Sequence, residues 1–169
     1  MWKNIGKTRP ENAIEPGPGQ ESVWDYPRPP ALRQDPRLVE VKAGASIIAG
    51  TTAAVRVLET ASPPTFYLPA DDVDMDQLVE AAGSSVCEWK GRAVYWALER
   101  APDLPVAWSY PRPRARFDRI ENYLAFYPGR VECYVDGERV RPQAGGFYGG
   151  WITTEVVGPF KGDPGTGHW

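Results

Sequence analysis

Ser84-Ser85-Val86-Cys87-Glu88-Trp89-Lys90-Gly91-Arg92-Ala93-Val94-Tyr95-Trp96 is the stretch on which the fold turns. Val86, Ala93, Tyr95 and the rings of Trp89 and Trp96 read as two strands broken at Lys90-Gly91, where a glycine admits a bulge or turn. The same segment brings together a thiol, an acid, an amine and aromatic rings, so it is also where chemistry is sought first.

Working outward, Leu38 to Gly44, Ser46-Ile47-Ile48-Ala49-Gly50, Val55-Arg56-Val57-Leu58 and Thr65-Phe66-Tyr67-Leu68 read as further strands, with Pro63-Pro64 turning the chain. Phe126 to Gly150 alternates apolar and polar residues, and Asp136-Gly137 is a hairpin signal within it. The chain has 18 prolines and 17 glycines, which break helices and favour short strands joined by tight turns. Only short helices are expected, at Asp74 to Ala82, where the acids of Asp71 to Asp76 suit a first helical turn, and at Arg116 to Phe126, where Phe117, Ile120 and Leu124 fall at helical spacing. The fold class is mainly β.

At 169 residues and 42% hydrophobic content the chain makes one compact domain with a real core. Residues 1–37 are rich in proline and read as an extended N-terminal arm, leaving 38–169 as a single β-rich domain. Trp24-Asp25-Tyr26-Pro27-Arg28-Pro29 recurs as Trp108-Ser109-Tyr110-Pro111-Arg112-Pro113, and each copy precedes a similar strand and turn, at Leu38 to Gly44 and at Val131 to Gly137. A degenerate internal duplication into two β-meander halves is expected, against the alternative of two independent proline-rich loops.

The formal net charge of −3 argues against a nucleic-acid partner, whose phosphates call for clustered Lys and Arg. The run Arg112, Arg114, Arg116 and Arg119 reads as a solvated face. No apolar stretch is long enough to cross a bilayer as a helix, so no membrane role is expected. Cys87 and Cys133 form no disulfide framework, and with no apolar run at Met1 to Lys7 the expected setting is cytoplasmic. With His168 as the single histidine, four Cys or His ligands for a structural zinc do not exist. An EF-hand read from Asp72 fails, because Gln77 stands where the loop needs Gly and Gly83 where it needs Glu. No metal and no cofactor are expected.

Arg56 to Thr60, Pro63 to Pro69, Asp72-Val73, Cys87-Glu88-Trp89-Lys90-Gly91, Tyr95-Trp96 and Ala125-Phe126-Tyr127-Pro128 together resemble the domain of unknown function 427 family. The endings Tyr148 to Thr153 and Gly158 to Thr166 are similar to it as well, so the resemblance spans roughly residues 23–169. It implies a compact fold of the Mss4-like or β-tent type, shared with B-type methionine sulfoxide reductases and the ligand-binding domain of cereblon. Those relatives carry a zinc clamp of paired cysteines that this chain lacks. The family has also been labelled nucleotidyltransferase-like, but neither a phosphate loop nor a metal-binding acid pair stands here.

Cys87 is a candidate nucleophile, since Lys90 and the backbone of a turn favour the thiolate; the alternative is a small buried hydrophobe. A Cys/His dyad would need the tail to fold His168 over the pocket. Arg56 and Glu59 are three apart and point to opposite faces of a strand unless a bulge intervenes; they read as an ion pair, or as anion anchor and general base. Trp89, Tyr95, Trp96, Trp108, Tyr110 and Trp151 offer more ring surface than a core of this size requires, and a ligand cage competes with plain core packing. Lys90 suits an anionic or carbonyl group, or a solvated turn. The tail Gly158 to Gly167 lacks the Gly-Lys-Ser/Thr of a phosphate loop.

Two functions from different classes follow. The first is a small-molecule binding domain, with an aromatic pocket lined by Arg56, Tyr67, Trp89, Lys90, Tyr95, Trp96, Trp108 and Tyr110. The second is an enzyme acting on a small metabolite through Cys87 as nucleophile or Glu59 as general base. Association as a homodimer, with the N-terminal arm exchanged between subunits, stays open.

Overall fold

The computed structural model describes residues 1–169. Its strands, in chain order, are β1 (Glu21–Ser22), β2 (Ala31–Asp35), β3 (Val39–Ala43), β4 (Ser46–Thr51), β5 (Ala54–Leu58), β6 (Thr65–Tyr67), β7 (Leu78–Cys87) and β8 (Gly91–Leu98). They continue as β9 (Pro105–Ser109), β10 (Leu124–Phe126), β11 (Glu132–Val135), β12 (Glu138–Arg139), β13 (Arg141–Pro142), β14 (Trp151–Ile152) and β15 (Val156–Val157). The order β10-β9-β8-β7 forms one antiparallel sheet, β12-β11-β3-β4 a second and β2-β5-β6 a third, with β1-β15 and β13-β14 as two-stranded ribbons. No helix is long and apolar enough to cross a membrane.

The hairpin expected around Lys90-Gly91 forms. β7 and β8 pair from Leu78↔Leu98 to Cys87↔Gly91, and Gly91 takes φ +108°, a value that a residue with a Cβ adopts only under strain. Asp136 (φ 46°) and Gly137 (φ 80°) give the β11–β12 hairpin its two left-handed turn positions.

Leu68 and Leu124 exchange both backbone hydrogen bonds at 2.8 Å, which splices β2-β5-β6 to β10-β9-β8-β7. The spliced sheet is packed on both faces along β5, β6, β9 and β10, and the two-residue period of a strand sorts its side chains. Ala54, Phe66, Leu68, Leu124 and Phe126 join the main core, which also takes Val39, Val41, Cys133 and Val135 from the β3–β11 sheet. Val55, Val57, Tyr67, Ala93, Trp108 and Ala125 point the other way and pack with Tyr110, Phe117 and Ile120. Trp151 closes the main core, stacked on Phe66 at 4.7 Å and donating its Nε1–H to the Phe126 carbonyl at 2.9 Å.

Several expectations are corrected. Asp74 to Ala82 is not a helix: a 3-10 turn at Met75–Gln77 gives way to β7, because Leu78 and Val79 complete the ladder against Leu98 and Ala97. Arg116 to Phe126 holds only the 3-10 segment Ala115–Ile120; Asn122 (φ 60°) breaks the path, and Leu124–Phe126 joins β9 as a strand. In both places cross-strand pairing overrides local helical periodicity.

Residues 1–20 carry no strand, but the rest of the first 37 joins the sheets, since β2 pairs with β5 along its whole length and β1 with β15. The repeated hexapeptide adopts two conformations: Trp24 lies in a 3-10 turn, Trp108 in strand β9. The strands following the two copies do meet, as β3 and β11 are neighbours in one sheet.

Candidate functional site

The pocket-side face of the spliced sheet borders a cavity of about 420 Å³. Its floor comes from alternate residues of adjacent strands: Val57 on β5, Tyr67 on β6, Ser85 and Cys87 on β7, Ala93 and Tyr95 on β8, and Trp108 on β9. The β7–β8 turn adds Glu88, Trp89 and Lys90, and the end of β5 leads to Glu59. The far wall is the Gln143 to Gly150 segment with Lys161, and Trp2 of the N-terminal arm lies at the rim.

Of the residues singled out from sequence, the cavity gathers Glu59, Tyr67, Cys87, Trp89, Lys90, Tyr95, Trp108 and Tyr110. Arg56 and Trp96 lie outside it, and the strand period is the reason. Val55 and Val57 face the pocket side, so Arg56 between them projects to the other face, where it meets Glu21 at 3.2 Å and Asp35 at 3.4 Å. Tyr95 and Trp96 divide in the same way: Trp96 packs on the main core and donates its Nε1–H to Ser109 Oγ at 3.0 Å.

The aromatic wall is cross-linked. Trp108 Nε1 donates to the Tyr67 hydroxyl at 3.2 Å, the Trp108 and Tyr127 rings lie 4.6 Å apart, and the Tyr95 hydroxyl meets Ser85 Oγ at 2.7 Å. Burial raises the pKa of the Tyr67 and Tyr110 phenols, and burial with the Tyr95 neighbour pushes Tyr127 up to about 12. All three therefore stay protonated at neutral pH and keep an O–H to donate. Trp89 Nε1 is fully buried and has no hydrogen-bond partner, which in a folded protein is uncommon and calls for an explanation.

Lys90 is the cation of this wall, with its Nζ 5.9 Å from the Tyr110 ring and 5.7 Å from that of Phe117. Burial pushes its pKa down, while Tyr67, Cys87 and Glu59 oppose burial and leave it above the ordinary lysine value. Glu59 sits 3.9 Å from Arg28, whose guanidinium donates to backbone oxygens of Asn4, Thr60 and Trp169 at 2.9, 3.0 and 2.7 Å. Burial lowers the Lys161 pKa, opposed by Glu59 and Glu88 and assisted by Arg28.

Sequence reasoning missed Trp2, Arg28, Gln143, Lys161 and Tyr127. Arg28 carried a signal, since it belongs to the repeated Trp-x-Tyr-Pro-Arg-Pro motif; Trp2 carried none. Trp2 reaches the site by lying 4.1 Å over the Arg28 guanidinium and 5.1 Å from Lys161 Nζ. No group of three or more His, Cys, Asp or Glu side chains is arranged to hold a metal ion.

The arrangement offers a cation, several neutral donors and one carboxylate around an aromatic floor. Residues 31–137 match the family described as Domain of unknown function (DUF427), and because that match covers more than half of the chain, the protein belongs to this family. No curated protein matches the sequence.

Proposed function

We propose that this member of the DUF427 family binds a small, partly apolar molecule in the cavity between the spliced sheet and the Gln143 to Gly150 segment. Glu59, Lys90 and Tyr67 supply the polar contacts and the rings of Trp108, Tyr95 and Trp89 the apolar ones. The observation that carries this reading is the half-buried ammonium of Lys90 at the wall of an aromatic cavity, with no carboxylate within 4 Å. The volume of about 420 Å³ falls within the range of small-molecule sites. Thermal-shift and native mass spectrometry of the purified protein against cell metabolites tests it. A retained ligand lost in Trp89→Ala is the expected outcome; no ligand, and no change in melting with any metabolite, sinks the reading.

The same reading takes the sheets as a β-tent arrangement, supported by the splice at Leu68 and Leu124 that sets the cavity on one face. It takes the setting as cytoplasmic, supported by two free thiols.

A second reading makes Cys87 a nucleophile, favoured by its place on the cavity wall beside Lys90. Alkylation by iodoacetamide near neutral pH decides it: a rate no faster than that of a free thiol ends the covalent mechanism.

A further inference from the structure

We infer that the occupant of the cavity is a small planar aromatic monocarboxylate, its ring among Trp108, Tyr127 and Tyr95 and its carboxylate at Lys90. The inference rests on the binding reading above and deepens it by naming the ligand class.

Lys90 and Lys161 are the cations of the lining and Glu59 and Glu88 its acids, with Arg28 behind Glu59 at 3.9 Å. Arg28 is committed to Glu59 and to three backbone oxygens, and Lys161 lies under the influence of both acids. Lys90 takes part in none of the ion pairs of the molecule, and its ammonium lies against the Tyr110 and Phe117 rings with no carboxylate within 4 Å. A cation withdrawn from water without a carboxylate is costly, and an entering anion offsets that cost.

The neutral groups around Lys90 favour the same occupant. The Tyr67 oxygen already accepts from Trp108 Nε1, which leaves its own O–H to donate. The Trp89 indole N–H has no partner in the protein. Donors therefore outnumber acceptors at this end of the cavity, which suits carboxylate oxygens and not a second donor. One ammonium flanked by neutral donors matches one negative charge. A phosphate dianion would call for a second cation beside Lys90, whereas Arg28 is held by Glu59 and Lys161 lies against the Trp2 and Tyr148 rings. The remaining wall is ring surface, including the Trp108 and Tyr127 pair at 4.6 Å, which suits a flat apolar body.

Isothermal titration of the full chain with 2-naphthoate, the uncharged 2-naphthamide and 2-naphthyl phosphate tests this, in the wild type and in Lys90→Met and Lys90→Arg. The wild type is expected to prefer the acid over the amide by roughly tenfold, the worth of one charge-assisted contact. Lys90→Met is expected to erase that preference while still binding the amide, and Lys90→Arg to retain it. Equal binding of acid and amide in every variant overturns the monocarboxylate and leaves the aromatic pocket standing. Tighter binding of the phosphate than of the acid overturns the monoanion. Failure of all three probes to bind overturns the pocket reading and this inference together.

Discussion

Trp108 donates its indole N–H to the hydroxyl oxygen of Tyr67 at 3.2 Å, a buried bond between β9 and β6. These strands come from the two sheets that the Leu68 and Leu124 bridge splices, so the bond holds the cavity floor across the splice. Tyr67 is fully buried, so the bond has no water to replace it.

Tyr67→Phe leaves the Trp108 N–H buried without an acceptor. The expected cost is about 1–3 kcal/mol of unfolding free energy, the penalty for an unsatisfied buried donor. Urea denaturation measures it. A loss below the error of the extrapolation refutes a structural role for the bond.

Gly149 faces the edge of the Trp108 indole so closely that a Cβ there overlaps the ring. Gly149→Ala must rotate or displace Trp108, at an expected cost of about 1–3 kcal/mol. It also narrows the cavity, so weaker binding of naphthoate accompanies the loss of stability. Unchanged melting and unchanged affinity together contradict the packing described.

Trp2 borders the same cavity as Cys87. Removing its ring by Trp2→Ala opens that rim, and alkylation of Cys87 by iodoacetamide is expected to proceed faster than in the wild type. Cys133 lies in the main core with no exposed surface and acts as an internal reference that stays unlabelled in both proteins. Equal Cys87 rates show that Trp2 does not cover the site.

Asp35 anchors an ion network on the other face of the sheet, with Arg37 at 2.6 Å and Arg56 at 3.4 Å. Burial pushes its carboxyl pKa up, but hydrogen bonds from Arg37 and the charges of Arg37 and Arg56 overcome burial and hold it below the usual value. A carboxyl depressed in the fold stabilises it fully above the unfolded value, about 3.9, and loses that contribution as pH falls through the folded value. Asp35→Asn is expected to cost about 3 kcal/mol at neutral pH. It should also flatten the acid limb of the stability profile below about pH 4. Parallel acid limbs in the two proteins would show that Asp35 titrates as it does in the unfolded chain.

Much of this was legible in the residues. Gly91 after Lys90 marked the turn between β7 and β8, and Asp136-Gly137 marked another, because both demand backbone angles that few residues tolerate. The opposed faces of Arg56 and Glu59 followed from strand periodicity alone. The helices expected at Asp74 to Ala82 and Arg116 to Phe126 failed because short apolar spacings fit a helix or a strand, and the partner strands β8 and β9 decided between them. The pairing of Tyr95 and Trp96 as one ring cluster failed for the converse reason: neighbours on a strand face apart.

What the sequence determined by itself is local: alternation, turn glycines, two thiols, and an excess of ring surface with Lys90 and Glu59 among it. Those properties depend on contacts between near neighbours in the chain, which residue identity reports directly. Only the tertiary structure decided which face of each strand borders the cavity, that Arg28 holds both the arm and the tail beside it, and that Trp2 and Lys161 join Tyr67 and Cys87. These are encounters between residues far apart in the chain, fixed by sheet register and by the splice at Leu68 and Leu124, and no local pattern encodes either.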